Sequence, residues 1–357
     1  MKKLFCVLAL LLVLPRAGAV SARAAVVIDA DTGETLFEQN ADSRLPMAST
    51  TKIMTALVAL GEGDLDRVYT VKPEYAAVEG SSMYLKAGET LSLQDTLYGL
   101  MLASGNDAAV AIAGECGGMT AFVGKMNAKA AELGLTDTHF DNPNGLPSDT
   151  HYTTAHELAK ITAAALKDPV FRQIVSTKSC TVSGHALSNH NRLLSMYDGA
   201  IGVKTGFTKA AGRILVSSAT RDGRRVIVVT IDDPSDWSDH AALMEEGFSR
   251  YAIQRVVNQG DRVGTVEVVG GEKRRVEVLA AEDFDYSVAP EEHPCLALPG
   301  PGFIYAPAVE GADAGVVYVL IEGKAVGKVP VVYGATIEQT QPEEKSFWQK
   351  LFHRGSG

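Results

Sequence analysis

The chain has 357 residues, 46% of them hydrophobic and 21% charged, and carries a formal net charge of -10 at neutral pH. That is enough apolar material for about two cores. The acidic balance argues against nucleic acid as a partner.

The first residues read as a secretory leader. Lys2 and Lys3 form a positive start, and Leu4 to Leu14 is an apolar run too short to be a good membrane span. Two A-x-A cleavage signals follow, Ala17-Gly18-Ala19 and Ala22-Arg23-Ala24. The second stands just before the first strand and is taken as the processing site, giving a leader of residues 1–24. Its removal takes away Lys2, Lys3, Arg16 and Arg23 and no acid, moving the charge from -10 to -14. Cys6 lies inside the apolar run, too early for a lipid-modified mature terminus. Cys116, Cys180 and Cys295 remain, with no spacing that resembles a metal or redox pair, and are read as small buried hydrophobes.

Ala25 to Ala30 is an apolar, β-branched run. The turn Asp31-Thr32-Gly33-Glu34 leads into Thr35 to Gln39, so the mature chain opens with a hairpin. After Pro46, the positions Ile53, Met54, Leu57, Val58 and Leu60 recur at helical spacing, with Ser49 in the first turn. Helical patterns over 93–102, 108–114, 121–133 and 154–166 fill the middle. Strands return over 213–220 and 225–232 around the turn Arg221-Asp222-Gly223-Arg224, and a helix over 239–251 closes this part. The pattern predicts an α+β domain over 25–252, one antiparallel sheet built from both ends of the segment with helices on it and a helical insert.

From Gln254 the character changes to short alternating strands at 263–269, 274–279, 315–321 and 326–332. We expect a small all-β domain over 253–338, without a catalytic set, and a tail over 339–357. In that tail Phe347, Trp348, Leu351 and Phe352 combine with Lys345, Lys350, His353 and Arg354 into a short amphipathic helix suited to an anionic membrane surface.

Three motifs stand in one order: Ser49-Thr50-Thr51-Lys52, Ser104-Gly105-Asn106 and Lys204-Thr205-Gly206. A Ser three residues before a Lys is expected about once by chance in a chain of this length; the ordered triple carries the signal. Residues three apart on a helix share a face, so Lys52 projects beside Ser49 and, if its pKa is lowered by burial, can act as its base. Ser104 and Asn106, two apart in a loop, can point into one cleft. Lys204 and Thr205 begin a strand where Gly206 has no side chain to block an extended substrate, and offer a cation and a hydroxyl to a terminal carboxylate. No H-E-x-x-H occurs; His151 and His156 are read as structural, and no metal or cofactor is needed.

With its flanks, Pro46 to Thr55, Gly80-Ser81-Ser82-Met83, Ser104 to Ala108, Asn144-Gly145-Leu146 and Asp198 to Thr208, the chain resembles the D-alanyl-D-alanine carboxypeptidases, the low-molecular-mass penicillin-binding proteins of the SxxK serine acyl transferase group. The resemblance implies a β-lactamase/transpeptidase-like fold and catalytic Ser49, Lys52 and Ser104, with Ser104 relaying a proton to the leaving amine. It implies substrate binding by Asn106, Lys204, Thr205, Gly206 and Phe207, with an oxyanion hole from the backbone N–H groups of Ser49 and Phe207. The substrate is the peptidoglycan pentapeptide, which loses its terminal D-Ala through an acyl-enzyme on Ser49, and β-lactam antibiotics inhibit. It also favours an exported enzyme held on the outer face of the cytoplasmic membrane by its tail. A β-lactamase, a DD-endopeptidase and a noncatalytic cell-wall binding protein are the alternatives. The E-x-x-L-N stretch of class A β-lactamases is absent, since Glu157-Leu158-Ala159 lacks that pattern, and a noncatalytic protein need not keep Ser49, Lys52 and Lys204.

Overall fold

A computed structural model describes residues 20–300 and 302–341. The carboxy-terminal amphipathic segment and all but the end of the leader lie outside the described residues. The chain divides into two compact units, Met1–Arg250 and Tyr251–Gly357.

In the first unit the opening hairpin, Ala24–Asp29 and Thr35–Gln39, joins a five-stranded antiparallel sheet. The order runs Thr35–Gln39, Ala24–Asp29, Arg224–Ile231, Gly212–Arg221, Ala200–Thr208. The sheet therefore unites both ends of the segment, as the alternation of strand and helix signals requires. Ala24–Asp29 is buried along its whole length, because helices cover both faces of the sheet. Asp236–Ser249 packs on one face and Ala155–Ala165 on the other. Ala200–Thr208 stands at the edge, with one row of backbone groups unpaired within the sheet.

Local chemistry sets the helix starts. Ser92 caps Leu93–Leu102 by accepting the Asp95 N–H at 3.0 Å, and Thr154 caps Ala155–Ala165 by accepting the Glu157 N–H at 3.1 Å. The Glu157 carboxylate accepts from the Thr136 and Asp137 amides and the Thr138 hydroxyl, so it anchors that loop. Two elements carried signals that the sequence reading passed over. Asp168 caps the helix Pro169–Ser176, and Ser183-Gly184 turns the hairpin Ser179–Val182/His185–Ser188. Ile53, Met54, Leu93, Leu97, Leu100, Phe122 and Phe171 belong to one apolar core under the insert.

The second unit is all-β. Its six-stranded sheet runs Cys295–Ala297, Asp313–Ile321, Lys324–Tyr333, Arg275–Ala280, Arg262–Val269, Phe303–Tyr305, the last pairing parallel. A separate pair joins Ala252–Val257 to Phe284–Val288. Inward-facing Val278, Ala280, Val317, Val319, Val329 and Val331 build its core. Cys116, Cys180 and Cys295 are all free thiols, buried, half-buried and exposed in turn.

Two buried histidines tie polar groups together inside the first unit. His240 bridges the Ser217 and Thr230 hydroxyls, and His151 bonds the Thr51 hydroxyl. Burial pushes His240 down to about 3 and His151 down to about 4. Both stay neutral in the fold, whereas an unfolded imidazole protonates below about 6.5. Stability is therefore complete above that pH and is lost as the pH falls toward the folded values. We expect a decline of about 1.4 kcal/mol per pH unit per histidine below pH ~6.5, read by urea unfolding. His240→Gln, which does not titrate, should flatten the decline; an unchanged slope would contradict the assignment.

Candidate active site

Ser49 sits in a 3-10 turn, Ala48–Thr51, that runs into the helix Lys52–Leu60. The i,i+3 relation survives this tighter winding, and Lys52 Nζ lies 3.0 Å from Ser49 Oγ. Nζ also lies 2.8 Å from Asn106 Oδ1 and 2.6 Å from the Asn144 carbonyl. The Asn106 amide is fixed by its Nδ2, which donates to the Glu79 carbonyl at 2.7 Å, so Oδ1 must face the lysine. Lys52 is fully buried. Burial, and then the charge of Lys204, hold its pKa well below the usual lysine value, against a smaller opposing pull from Asp107.

The contact set serves an ammonium, which would donate all three bonds, and equally the neutral amine that the lowered pKa favours. Two of its partners are carbonyl oxygens, which only accept, and the third is a hydroxyl, which can donate. A neutral amine has two N–H bonds for the carbonyls and one lone pair for the Ser49 proton. Ser49 Oγ is thereby held against a base that needs no carboxylate partner.

The turn carrying Ser49 is held under strain. Ala48 has φ 44 and Ser104, across the cleft, has φ 58, both unusual for residues with a side chain. Thr50 and Thr51 donate to the Met47 and Ala48 carbonyls. His151 accepts the Asp141 N–H at Nδ1 and so presents Nε2–H to Thr51 Oγ1 at 2.8 Å. Gly145 (φ 87) passes so close that an added Cβ would sit 1.8 Å from the Ala48 carbonyl oxygen. Gly206 is similarly placed: a Cβ there would meet Ser49 N at 3.2 Å, so the edge strand runs directly along the nucleophile turn.

Asn106 is the first residue of the helix Asn106–Glu115, and Ser104 lies in the short link preceding it. The neighbouring Asp107 accepts from Ser82 Oγ and from the amides of Met83, Leu85 and Ala108, pinning the 82–85 loop beside the site. Ser49, Ser104, Thr205, Gly206 and Phe207 line one cavity of about 330 Å³. Phe207 is 66% exposed at its mouth. Lys204 lies behind the wall, 1% exposed, donating to the Thr205 carbonyl at 2.8 Å, and burial lowers it to about 7.

The cavity also contains residues that the sequence reading did not place there: Ser81, His190, Arg213, Ile214, Asp236 and Trp237. Burial, then Lys204, lowers the His190 pKa. Arg213 grips Asp236 through three hydrogen bonds of 2.7 to 3.0 Å, and Arg192 and Arg213 both stand about 6 Å from the Trp237 ring. Asp236 lies 23 residues from Arg213, a separation that carries no periodic signal. No group of metal-binding side chains occurs among the described residues.

A serine beside a buried lysine, facing an edge strand across a polar cleft, is the arrangement of a serine hydrolase. The family model described as D-alanyl-D-alanine carboxypeptidase matches residues 13–235, and that described as penicillin-binding protein 5, C-terminal domain, matches 251–339. The chain belongs to the D-alanyl-D-alanine carboxypeptidase family. It is 36% identical over 276 residues to the D-alanyl-D-alanine carboxypeptidase DacF of Bacillus subtilis, covering 73% of this chain and 71% of that protein. The crystal structure of the Streptomyces K15 DD-transpeptidase matches with 37% identity and a TM-score of 0.61, covering 65% of this chain and 98% of that one. The carboxypeptidase DacD of Francisella tularensis matches across both units, with 26% identity, a TM-score of 0.65, and 92% and 96% coverage.

Because Lys204 lowers the Lys52 pKa, Lys204→Gln should raise it. The acid limb of the acylation rate constant for a penicillin should then move to higher pH, whatever the effect on the maximal rate. A limb that stays in place would show that Lys204 does not act on the base. Gly145→Ala, which drives a methyl group into the Ala48 carbonyl at a positive φ, is expected to lower acylation by about 100-fold or more; near-normal labelling would contradict the tight approach.

Proposed function

We propose that this chain removes the terminal D-Ala from peptidoglycan stem peptides, with Ser49 as nucleophile and Lys52 as its base. The observation that carries the reading is the three-contact seat of the Lys52 amine. As Ser49 Oγ attacks the penultimate D-Ala carbonyl, its proton passes to the Lys52 lone pair, and two carbonyl oxygens hold the ammonium that results. The Ser49 and Phe207 amides supply the oxyanion hole, and the substrate pairs along the edge strand past Gly206. Ser104 returns a proton to the leaving D-Ala amine; Asn106, expected from the sequence to bind substrate, has its amide committed to Lys52 and the Glu79 carbonyl. Thr205, with Lys204 charged behind it, receives the terminal carboxylate. Water then hydrolyses the acyl-enzyme. A β-lactam enters by the same step and leaves a longer-lived adduct.

Cavity chemistry favours this over a β-lactamase. Asp236 is the one carboxylate among the described lining residues, and Arg213 holds it, so no free carboxylate stands ready there to activate water for rapid deacylation. DD-endopeptidase action on cross-links uses the same atoms and differs only in what fits the cleft.

Export and membrane attachment are part of the proposal. They are supported by the leader-like start and by the aromatic and cationic pattern of the tail. No described helix is long and apolar enough to cross a membrane; surface attachment through the tail is the mode we propose. Removing residues 343–357 should release the protein from membranes in a sedimentation assay with D-Ala release intact; unchanged sedimentation would refute the anchor.

Ser49→Ala should abolish D-Ala release and covalent labelling by a fluorescent penicillin, and the intact mass of the native protein should rise by one adduct, on the Ser49 peptide. Lys52→Arg places a permanent cation there that cannot accept a proton at neutral pH, and should lower acylation by about 10³-fold. Labelling at another residue would overturn the assignment.

A further inference from the structure

The residues just before the first strand are bound into the catalytic unit. Ser21 donates its backbone N–H to Asp239 Oδ2 at 2.7 Å, and its hydroxyl lies 2.7 Å from Asp233 Oδ1 and 2.8 Å from Asp239 Oδ2. Gln39 Nε2 donates to the Ala22 carbonyl at 2.7 Å and Asn40 Nδ2 to the Arg23 carbonyl at 3.0 Å. The Arg23 N–H reaches the Ile231 and Asp232 carbonyls, Ala22 is 4% exposed, and Ala24 pairs with Ile231 in the sheet. Cleavage after Ala24 would discard every one of these contacts, leaving the buried Asp233 with only its Thr230 and Ser235 partners. Burial, together with the neighbouring Asp239 charge, already pushes the Asp233 carboxyl up. Two acidic side chains converge on Ser21, one residue downstream of Val20. Fixed backbone bond lengths put Val20 N within about 4 Å of Ser21 N, hence within about 7 Å of the Asp239 carboxylate.

We propose that the leader is removed between Ala19 and Val20, at the first A-x-A signal, and that the new α-ammonium of Val20 is bound by the Asp233–Asp239 pair. Water hydrolyses the Ala19–Val20 peptide bond in the leader peptidase of the exporting cell, placing its oxygen on the Ala19 carboxylate and a proton on the Val20 amine. The mature chain keeps Arg23 and carries a charge of -13 instead of -14. The processed terminus thus becomes a structural part of the catalytic unit. The inference rests on the proposed export of the chain.

The test is the intact mass and amino-terminal sequence of the full chain after expression in an exporting bacterium. A start at Val20 is the expected result. A start at Ala25 would overturn this site and keep the leader; retention of residues 1–19 would overturn both. In the processed protein, the Val20 amine is expected to titrate above the ordinary value for an α-amino group, because nearby carboxylates favour its charged form, and Asp239→Asn should bring it back toward that value. An amine that titrates identically in both proteins would overturn the ion pair.

Discussion

Burial of the Lys52 amine against two carbonyl oxygens and one hydroxyl governs the rest of the site. An ammonium taken out of water without a bonded carboxylate is disfavoured, so the pocket shifts Lys52 toward the neutral amine, the form a serine hydroxyl needs as a base. Lys204, buried on the other side with its own pKa lowered, adds like-charge repulsion to the same end. Basicity here is made by desolvation and geometry, without a histidine–carboxylate pair.

Holding that geometry takes several distant pieces of chain. The nucleophile turn, the Ser104–Asn106 link, the Asn144–Gly145 loop and the edge strand meet within a few ångströms of Ser49 Oγ. Strained φ angles at Ala48 and Ser104 flank the cleft, each costing about 1–3 kcal/mol. Rigid surroundings keep them: Asp107 binds the 82–85 loop, His151 and Thr51 brace the Ala48 carbonyl, and the apolar insert under Ile53 and Met54 fixes the helix that carries Lys52. The catalytic function of the family thus rests on the first unit, while the second has a core of its own built from strand alternation.

What could be read in advance was what is local. The Ser49–Lys52 relation, the helix Leu93–Leu102, the turn at Asp222-Gly223 and the sheet built from both ends of the first unit follow from spacing, capping and turn chemistry. The partners that matter most to Lys52 were not legible as such. The Asn144 contribution is a backbone carbonyl, and no side-chain pattern announces one. Lys204 reads as a cation facing the cleft, yet its ammonium is buried against the Thr205 carbonyl, because the direction of a side chain on an edge strand depends on what packs behind it. Arg213, Asp236 and Trp237 meet only through the pairing of strands with the helix that follows them. The hairpin Ser179–Ser188 and the helix Pro169–Ser176 did carry their Ser-Gly and Asp-Pro signals, hidden among the polar residues of a long connection.

The most direct test of the central claim is the titration of Lys52 itself, followed by the 13Cε and 15Nζ chemical shifts of labelled lysine, with the Lys52→Arg spectrum assigning the resonance. The account predicts an amine that is neutral in the range where the enzyme works and titrates well below the ordinary lysine value of about 10.4. A Lys52 that remains charged up to that value would contradict it.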